Sequence, residues 1–190
     1  MNRTVGVLAL QGAYQKHVET LARLGAEALL IRKSAELESC DGLIIPGGES
    51  TTMSLLIDES GMYEPLREFA RHKPVMGVCA GMILMADSVD DARVNPLRLL
   101  PFRALRNHYG RQVHSFTADI VLAFDQGGAP LKAHFIRAPG ITDLGPGIEI
   151  LSRHDDEIIM IRKDRHLALS FHPELTRDDR VHRYWLDMFA

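Results

Sequence analysis

Apolar positions in the first half of the chain fall into short continuous runs that alternate with stretches of helical spacing. Residues 4–9 form such a run and close on Gln11-Gly12, the pattern of a buried strand entering a tight turn. Residues 13–24 then place Tyr14, Val18, Leu21 and Leu24 three or four apart and stop at Gly25, which predicts an amphipathic helix ended by glycine. Further strands are expected over 27–31, over 42–45 ahead of Pro46-Gly47-Gly48, and over 74–78. Helices are expected through Leu56 from Ser50 or Thr51, either of which can cap, then over 63–71 and 81–86. Strands alternating with helices through short connections predict an α/β fold with a mostly parallel sheet covered on both faces.

The second half changes character. Runs at 118–122, 132–136, 149–152, 158–162 and 167–171 read as strands with little helix between them, which predicts a mixed or antiparallel C-terminal extension of the sheet. Residues 178–189 predict a closing amphipathic helix, and 87–101 a loop near the site. No repeat, linker or low-complexity segment divides 1–190, so a single domain is expected.

Composition narrows this picture only slightly. The chain has 190 residues, 46% hydrophobic and 25% charged, ordinary values for a globular protein able to bury a core. A net charge of -3 supplies no footprint for nucleic acid or an anionic membrane. No run approaches transmembrane length, and the first residues lack the pattern of a signal peptide. Arg98, Arg103, Arg106 and Arg111 cluster in sequence, which fits either a local anionic ligand or partner surface or a set of scattered surface ion pairs. Cys40 and Cys79 make no disulfide framework, and a cytoplasmic, reducing setting in which a free thiol persists is expected.

Three strings carry candidate chemistry, each at the end of a predicted strand. Gly77-Val78-Cys79-Ala80-Gly81 has the form of a nucleophile elbow with cysteine in the central position. A sharp strand-to-helix turn needs small neighbours, sets the thiol beside a helix N-terminus that favours the thiolate, and leaves the Ala80 amide as an oxyanion donor. A buried cysteine packed in a glycine-rich turn is the plain alternative. His172-Pro173-Glu174 follows the run at 167–171. If the backbone stays extended, as Pro173 favours, residues two apart share a face, and Glu174 can hold one imidazole nitrogen while the other meets the thiol. Pro46-Gly47-Gly48-Glu49-Ser50 offers adjacent amides to an anion, or is a turn before a helix cap, and it matches neither nucleotide-binding glycine pattern. No metal-binding spacing occurs among the nine histidines, so neither metal nor cofactor is expected, and Cys40 reads as structural.

Taken together, these strings resemble class I glutamine amidotransferases, and more narrowly the PdxT/SNO family, the glutaminase subunits of two-component pyridoxal 5'-phosphate synthase. The narrower resemblance rests on Gly6-Val7-Leu8-Ala9-Leu10-Gln11-Gly12, Arg106-Asn107 with Gly110-Arg111-Gln112, and Phe135-Ile136-Arg137-Ala138-Pro139, and it spans nearly the whole chain. It implies a flavodoxin-like three-layer α/β/α fold and hydrolysis of L-glutamine to L-glutamate and ammonia. It also implies delivery of that ammonia to a separate synthase subunit. By motif it assigns Cys79, His172 and Glu174 to the triad, and Gly47, Gly48, Glu49, Arg106, Ile136 and Arg137 to substrate contacts. Gly48, Ala80, Gln11 and Gly12 are assigned to the oxyanion hole, the last two in a turn that rearranges when the partner binds. Departures from the family pattern lie at His108-Tyr109, at His114 and over 95–105, and bear on the partner surface more than on the chemistry. Three rivals stand beside this reading: another thiol hydrolase of the same architecture, a non-catalytic subunit, and a nucleotide-binding module. The last lacks a phosphate loop.

Overall fold

The computed structural model describes residues 3–106, 108, 115–125 and 127–189. The first half follows the expected alternation: β1 (Thr4–Leu8), α1 (Tyr14–Arg23), β2 (Glu27–Ile31), a 3-10 turn (Ser34–Ser39), β3 (Gly42–Ile45), α2 (Ser50–Glu59), α3 (Tyr63–His72), β4 (Val75–Val78) and α4 (Ala80–Met85). β5 (Ala86–Val89), β6 (Leu100–Leu105), β7 (Ser115–Ile120), β8 (Leu131–Ile136), β9 (Gly140–Thr142), β10 (Glu149–His154), β11 (Glu157–Lys163) and β12 (His166–Leu169) follow. A 3-10 turn (Pro173–Leu175) and α5 (Arg180–Leu186) complete the described elements.

The main sheet has seven strands in the order β10-β11-β12-β4-β3-β1-β2. The five from β2 to β12 are parallel, and β11 and β10 are added antiparallel at the β12 edge. The parallel part runs 2-1-3-4-12, with β12 in the place of a fifth strand, which is the flavodoxin-like order. Period-two alternation feeds both faces of this sheet. On β1, Val5 and Val7 join one apolar cluster and Leu8 the other; on β3, Ile44 and the pair Leu43 and Ile45 divide likewise. Leu21 of α1 and Val181 and Trp185 of α5 close the first face. Met53 of α2, Leu66 of α3 and Met82 of α4 close the second. Burying each such large side chain contributes about 1.5–3 kcal/mol, so both layers hold the sheet in place.

Three expectations are corrected. The later strands do not all extend one sheet: β5, β6 and β9 form a three-stranded sheet, and β7 with β8 an antiparallel hairpin. Residues 87–101 are no simple loop, since β5 ends and β6 begins within them. Along β6, Leu100, Phe102 and Ala104 are buried while Arg103 is exposed, a period of two that marks a half-buried strand. Segment 95–105 is therefore packed in place, with Leu97 N–H donating to the Leu84 carbonyl and Leu99 N–H to that of Met85. Finally, neither Ser50 nor Thr51 caps α2. The Glu49 carboxylate does so, accepting from the Thr51 and Thr52 backbone N–H groups. A carboxylate there also meets the positive end of the helix dipole. Among the described residues no helix is long and apolar enough to cross a membrane.

Candidate active site

The carboxyl ends of β1, β3, β4 and β12 lie side by side in the sheet, and each opens into one of the segments singled out above. Open parallel sheets bind ligands at that edge. A cavity of about 290 Å³ sits there, lined by Gln11, Gly47, Gly48, Glu49, Cys79, Ala80, Arg106, Ile136, Arg137 and His172, with Ala13, Ser50 and Ile83 completing the wall. Of the residues assigned from sequence, only Gly12 and Glu174 are absent from its lining. Gly12 lies against the Gly47 carbonyl and Glu174 beside the His172 ring.

Cys79 stands between β4 and α4 with φ 52°, a left-handed conformation that costs a non-glycine residue about 1–3 kcal/mol. The surroundings hold it there: its N–H donates to the Leu169 carbonyl at 2.8 Å, and its carbonyl accepts from Ile83 N–H at 3.1 Å. Glycine at position 81 is a steric requirement, because a Cβ there would overlap the Ile45 carbonyl oxygen of the neighbouring strand. Cys79 is only 8% exposed, and its thiol approaches the Ile136 carbonyl at 3.8 Å. Ala80 is the first residue of α4, so its N–H has no partner within the helix and faces outward from the N-terminus.

His172 reaches the thiol by a route the sequence reading did not foresee. The chain does not stay extended after β12. His172 has φ -108° and ψ 87°, and Pro173–Leu175 coil into a 3-10 turn that brings Glu174 back under the imidazole. Pro173 at the first position of that turn has no N–H to leave unsatisfied, which is why proline suits it. Nδ1 and Glu174 Oε1 are 2.7 Å apart, and His172 lines the same cavity as Cys79. A bond from His172 N–H to the His134 carbonyl (2.8 Å) braces this loop against β8. Burial presses the His172 pKa down, but the bonds to Cys79 and Glu174 outweigh it and lift it to about 10. Burial also presses Glu174 upward, yet His17 and His172 hold its carboxyl below the ordinary range.

Glycine governs the opposite wall. Gly12, at φ +103°, lies against the Gly47 carbonyl, where any side chain would collide with that oxygen. Ala13 N–H donates to the Gly47 carbonyl at 2.9 Å, and Gln11 Oε1 accepts from Glu49 N–H at 3.0 Å. In a trans peptide the carbonyl and the following N–H point in opposite directions. With the Gly47 carbonyl drawn to the 11–13 turn, the Gly48 N–H is turned away from it. The glycine-rich turn is thus stitched to the β1 turn, and one of its amides is left over.

Arg106 donates to Glu49 Oε1 at 3.0 Å and to Asp91, while its N–H donates to Asp90 Oδ1 at 2.8 Å. Burial raises the Glu49 pKa, but bonds from Thr51 and Thr52 outweigh that and bring it to about 2. The carboxylate therefore stays charged beside the cavity while capping α2. Arg137 sits at φ 44°, directly after the Ile136 carbonyl that faces the thiol. The sequence cluster of arginines disperses: Arg103 pairs with Asp143 at 3.9 Å, Arg106 joins the cavity, and Arg98 lies beside Arg67 and Arg71. Asn107, Tyr109, Gly110, Arg111, Gln112 and His114 lie outside the described residues. Cys40 is buried, and burial pushes its thiol up to about 11, as suits a structural role. Among the described residues no group of three or more His, Cys, Asp or Glu side chains could hold a metal ion.

Sequence reading missed two buried histidines, beside each other and one of them beside Glu174. His17 of α1 and His182 of α5 are 0% exposed, with His17 Nδ1 and His182 Nε2 3.0 Å apart. The signal was present: His17 falls three residues after Tyr14 and four before Leu21, on the apolar stripe of its helix.

The geometry can be set beside known proteins. Residues 7–190 match the model of the SNO glutamine amidotransferase family. The chain is 45% identical to a pyridoxal 5'-phosphate synthase subunit PdxT of Carboxydothermus hydrogenoformans, over 96% of each chain. It is 47% identical to the PdxT subunit of Desulforudis audaxviator, over 96% of this chain and 97% of that one. A crystal structure described as a glutamine amidotransferase superposes with a TM-score of 0.91 at 42% identity, covering 97% of this chain and 98% of the other.

Proposed function

The chain belongs to the SNO glutamine amidotransferase family, and from that premise we propose that it is a glutaminase subunit of pyridoxal 5'-phosphate synthase, working through a Cys79-His172-Glu174 triad. Residues 1–190 act in this reading as one glutaminase domain. The observation that carries it is the single cavity wall on which an elbow cysteine meets a histidine whose far nitrogen lies 2.7 Å from a buried carboxylate. The family and the names of the relatives supply the substrate class and the partner.

The Cys79 thiolate attacks the side-chain carbonyl carbon of glutamine, and the electron pair moves onto the carbonyl oxygen. Collapse of that intermediate expels the amide nitrogen, which His172 protonates, so ammonia leaves and a thioester remains. Water then attacks the thioester, His172 takes its proton, and glutamate is released with the thiol restored. The N–H groups of Gly48 and Ala80 face both oxyanions. Gln11 and Gly12 contribute by fixing the peptide that presents the Gly48 amide. Losing one such donor costs about 3 kcal/mol in the barrier, so a turn that moves on partner binding is an effective switch. Gly47, Gly48, Glu49, Arg106, Ile136 and Arg137 surround the bound glutamine. Arg106 and Glu49 suit its α-carboxylate and α-amino group, since each charge is already held in place by a partner. The ammonia passes to the synthase subunit.

This mechanism has a pH signature. The acid needed at ammonia departure is protonated His172, and a pKa lifted from the ordinary 6.5 to about 10 keeps the proton on through neutral pH. The rate of thioester formation should therefore hold across neutrality and fall only as pH rises through about 10, read from single-turnover ammonia release. Once the thioester forms, the thiolate that helped hold that proton is gone, and the imidazole is freed to act as base. A fall already complete near pH 7 would remove His172 from the acid role.

The test of the function is glutamate release from glutamine, with and without the cognate synthase subunit. Release that rises when the partner is added is the expected result. No release in either condition, from folded protein whose Cys79 still reacts with an electrophile, would transfer the chain to another thiol hydrolase or a silent subunit.

A further inference from the structure

The triad does not end at Glu174. Its Oε1 is taken by His172, but Oε2 is fully buried and has no hydrogen-bond partner among the described residues. Facing it at 3.8 Å is Nε2 of His17, also buried and also unpartnered. On its other side His17 meets His182 at 3.0 Å, and the outer nitrogen of His182, Nδ1, is the third unpartnered atom of the row. Buried polar atoms left unsatisfied cost about 1–3 kcal/mol each, so three in line call for a role.

Only one arrangement of protons suits the row. If His17 carried its proton on Nδ1, its Nε2 lone pair would point at a carboxylate oxygen in a dry interior, which is repulsive. With the proton on Nε2, that N–H points at Glu174 Oε2, and His17 Nδ1 is free to accept from His182 Nε2–H. Both rings are then neutral, as full burial favours. The charged and titratable groups facing this pair are Glu174 and His172 from the loop after β12, and Arg23 on α1 itself.

We infer that His17, held in its Nε2–H tautomer by His182, is a positioning residue that aims a second donor at Glu174 and so fixes the carboxylate that orients His172. The inference rests on the glutaminase reading and deepens it. Helix α1 supplies this support from the same segment whose start, at Gln11-Gly12-Ala13, stitches the glycine-rich turn. One element thus backs both the base and the oxyanion side of the site.

The experiment uses the chain in complex with its synthase subunit and compares wild type with His17→Leu and His17→Gln. Leucine fills the space without a donor; glutamine places an N–H close to the original Nε2. His17→Leu should lower kcat about tenfold, through looser orientation of Glu174 and hence of His172, with the KM for glutamine held within roughly twofold. It should also move the alkaline limb of the acylation rate to lower pH, and His17→Gln should recover most of both. A folded His17→Leu variant with unchanged kcat and pH profile would overturn the inference. Should the leucine variant fail to fold, nitrogen NMR of wild type decides: an Nδ1–H tautomer or an imidazolium at His17 overturns it, and a neutral Nε2–H ring supports it. Absence of glutamate release from the wild-type complex would instead defeat the glutaminase reading itself.

Discussion

Replacing Cys79 by alanine is expected to leave glutamate release at least about 10⁴-fold below wild type in the presence of the synthase subunit, since a triad acts as a unit and cannot turn over without its nucleophile. The fold should persist. The side chain is small, and the elbow is held by backbone bonds to Leu169 and Ile83 that alanine keeps. Alanine also inherits the left-handed backbone at φ 52°, so the local strain is unchanged and Tm should move by only a few degrees. Circular dichroism and glutamate release on the same preparation check both halves. Substantial turnover by folded Cys79→Ala would defeat the assignment of the nucleophile, whatever the family of the chain.

Gly47→Ala is the second large effect, and a steric one. Gly47 is not in the left-handed region, so alanine brings no backbone penalty there. Its Cβ would, however, lie 2.5 Å from Cε1 of His172 and 3.2 Å from Nδ1. The ring cannot swing aside freely, because Nδ1 is tied to Glu174 and the loop is tied to the His134 carbonyl. Relief requires roughly an ångström of movement in the imidazole or the glycine-rich turn, and a displacement of that size costs about 10²-fold in rate. The expected result is a fall in kcat of that order with Tm little changed. If kcat stays within threefold of wild type (roughly 0.7 kcal/mol), the His172 orientation described here is not the working one.

How far the sequence reaches is visible at individual residues. The elbow was legible because its chemistry is local: a strand that must turn sharply into a helix beside neighbouring backbone leaves room only for small residues around Cys79, and Gly81 against the Ile45 carbonyl is that demand met. The parallel strands of the first half were legible for a similar reason. β3 and β4 are buried on both faces, so each is a continuous apolar run bounded by turn residues, as at Val75–Val78. Membership of strands in sheets was not legible. β6 and β7 carry the same alternation that an extension of the main sheet would carry, and nothing within a strand names its neighbour. Pairing is decided by which hydrophobic faces meet, and that depends on contacts far apart in sequence.

The site divides along the same line. His172 and Glu174 could be joined from their spacing, but the spacing suggested an extended chain, and the 3-10 turn that makes the contact depends on the bracing of the loop by β8. The capping of α2 by Glu49 and its tie to Arg106 required two segments 57 residues apart to meet. His17 and His182 are separated by 165 residues, and each alone is a histidine on an amphipathic helix. By itself the sequence singled out the elbow at Cys79, the His172 and Glu174 pair and the alternation that builds the parallel sheet, because those are written in local sterics and periodicity. Tertiary structure alone decided what stands behind the carboxylate, which amide the glycine-rich turn leaves free and where each charge finds its partner. Those are properties of surfaces brought together by folding, and no short stretch of chain contains both sides.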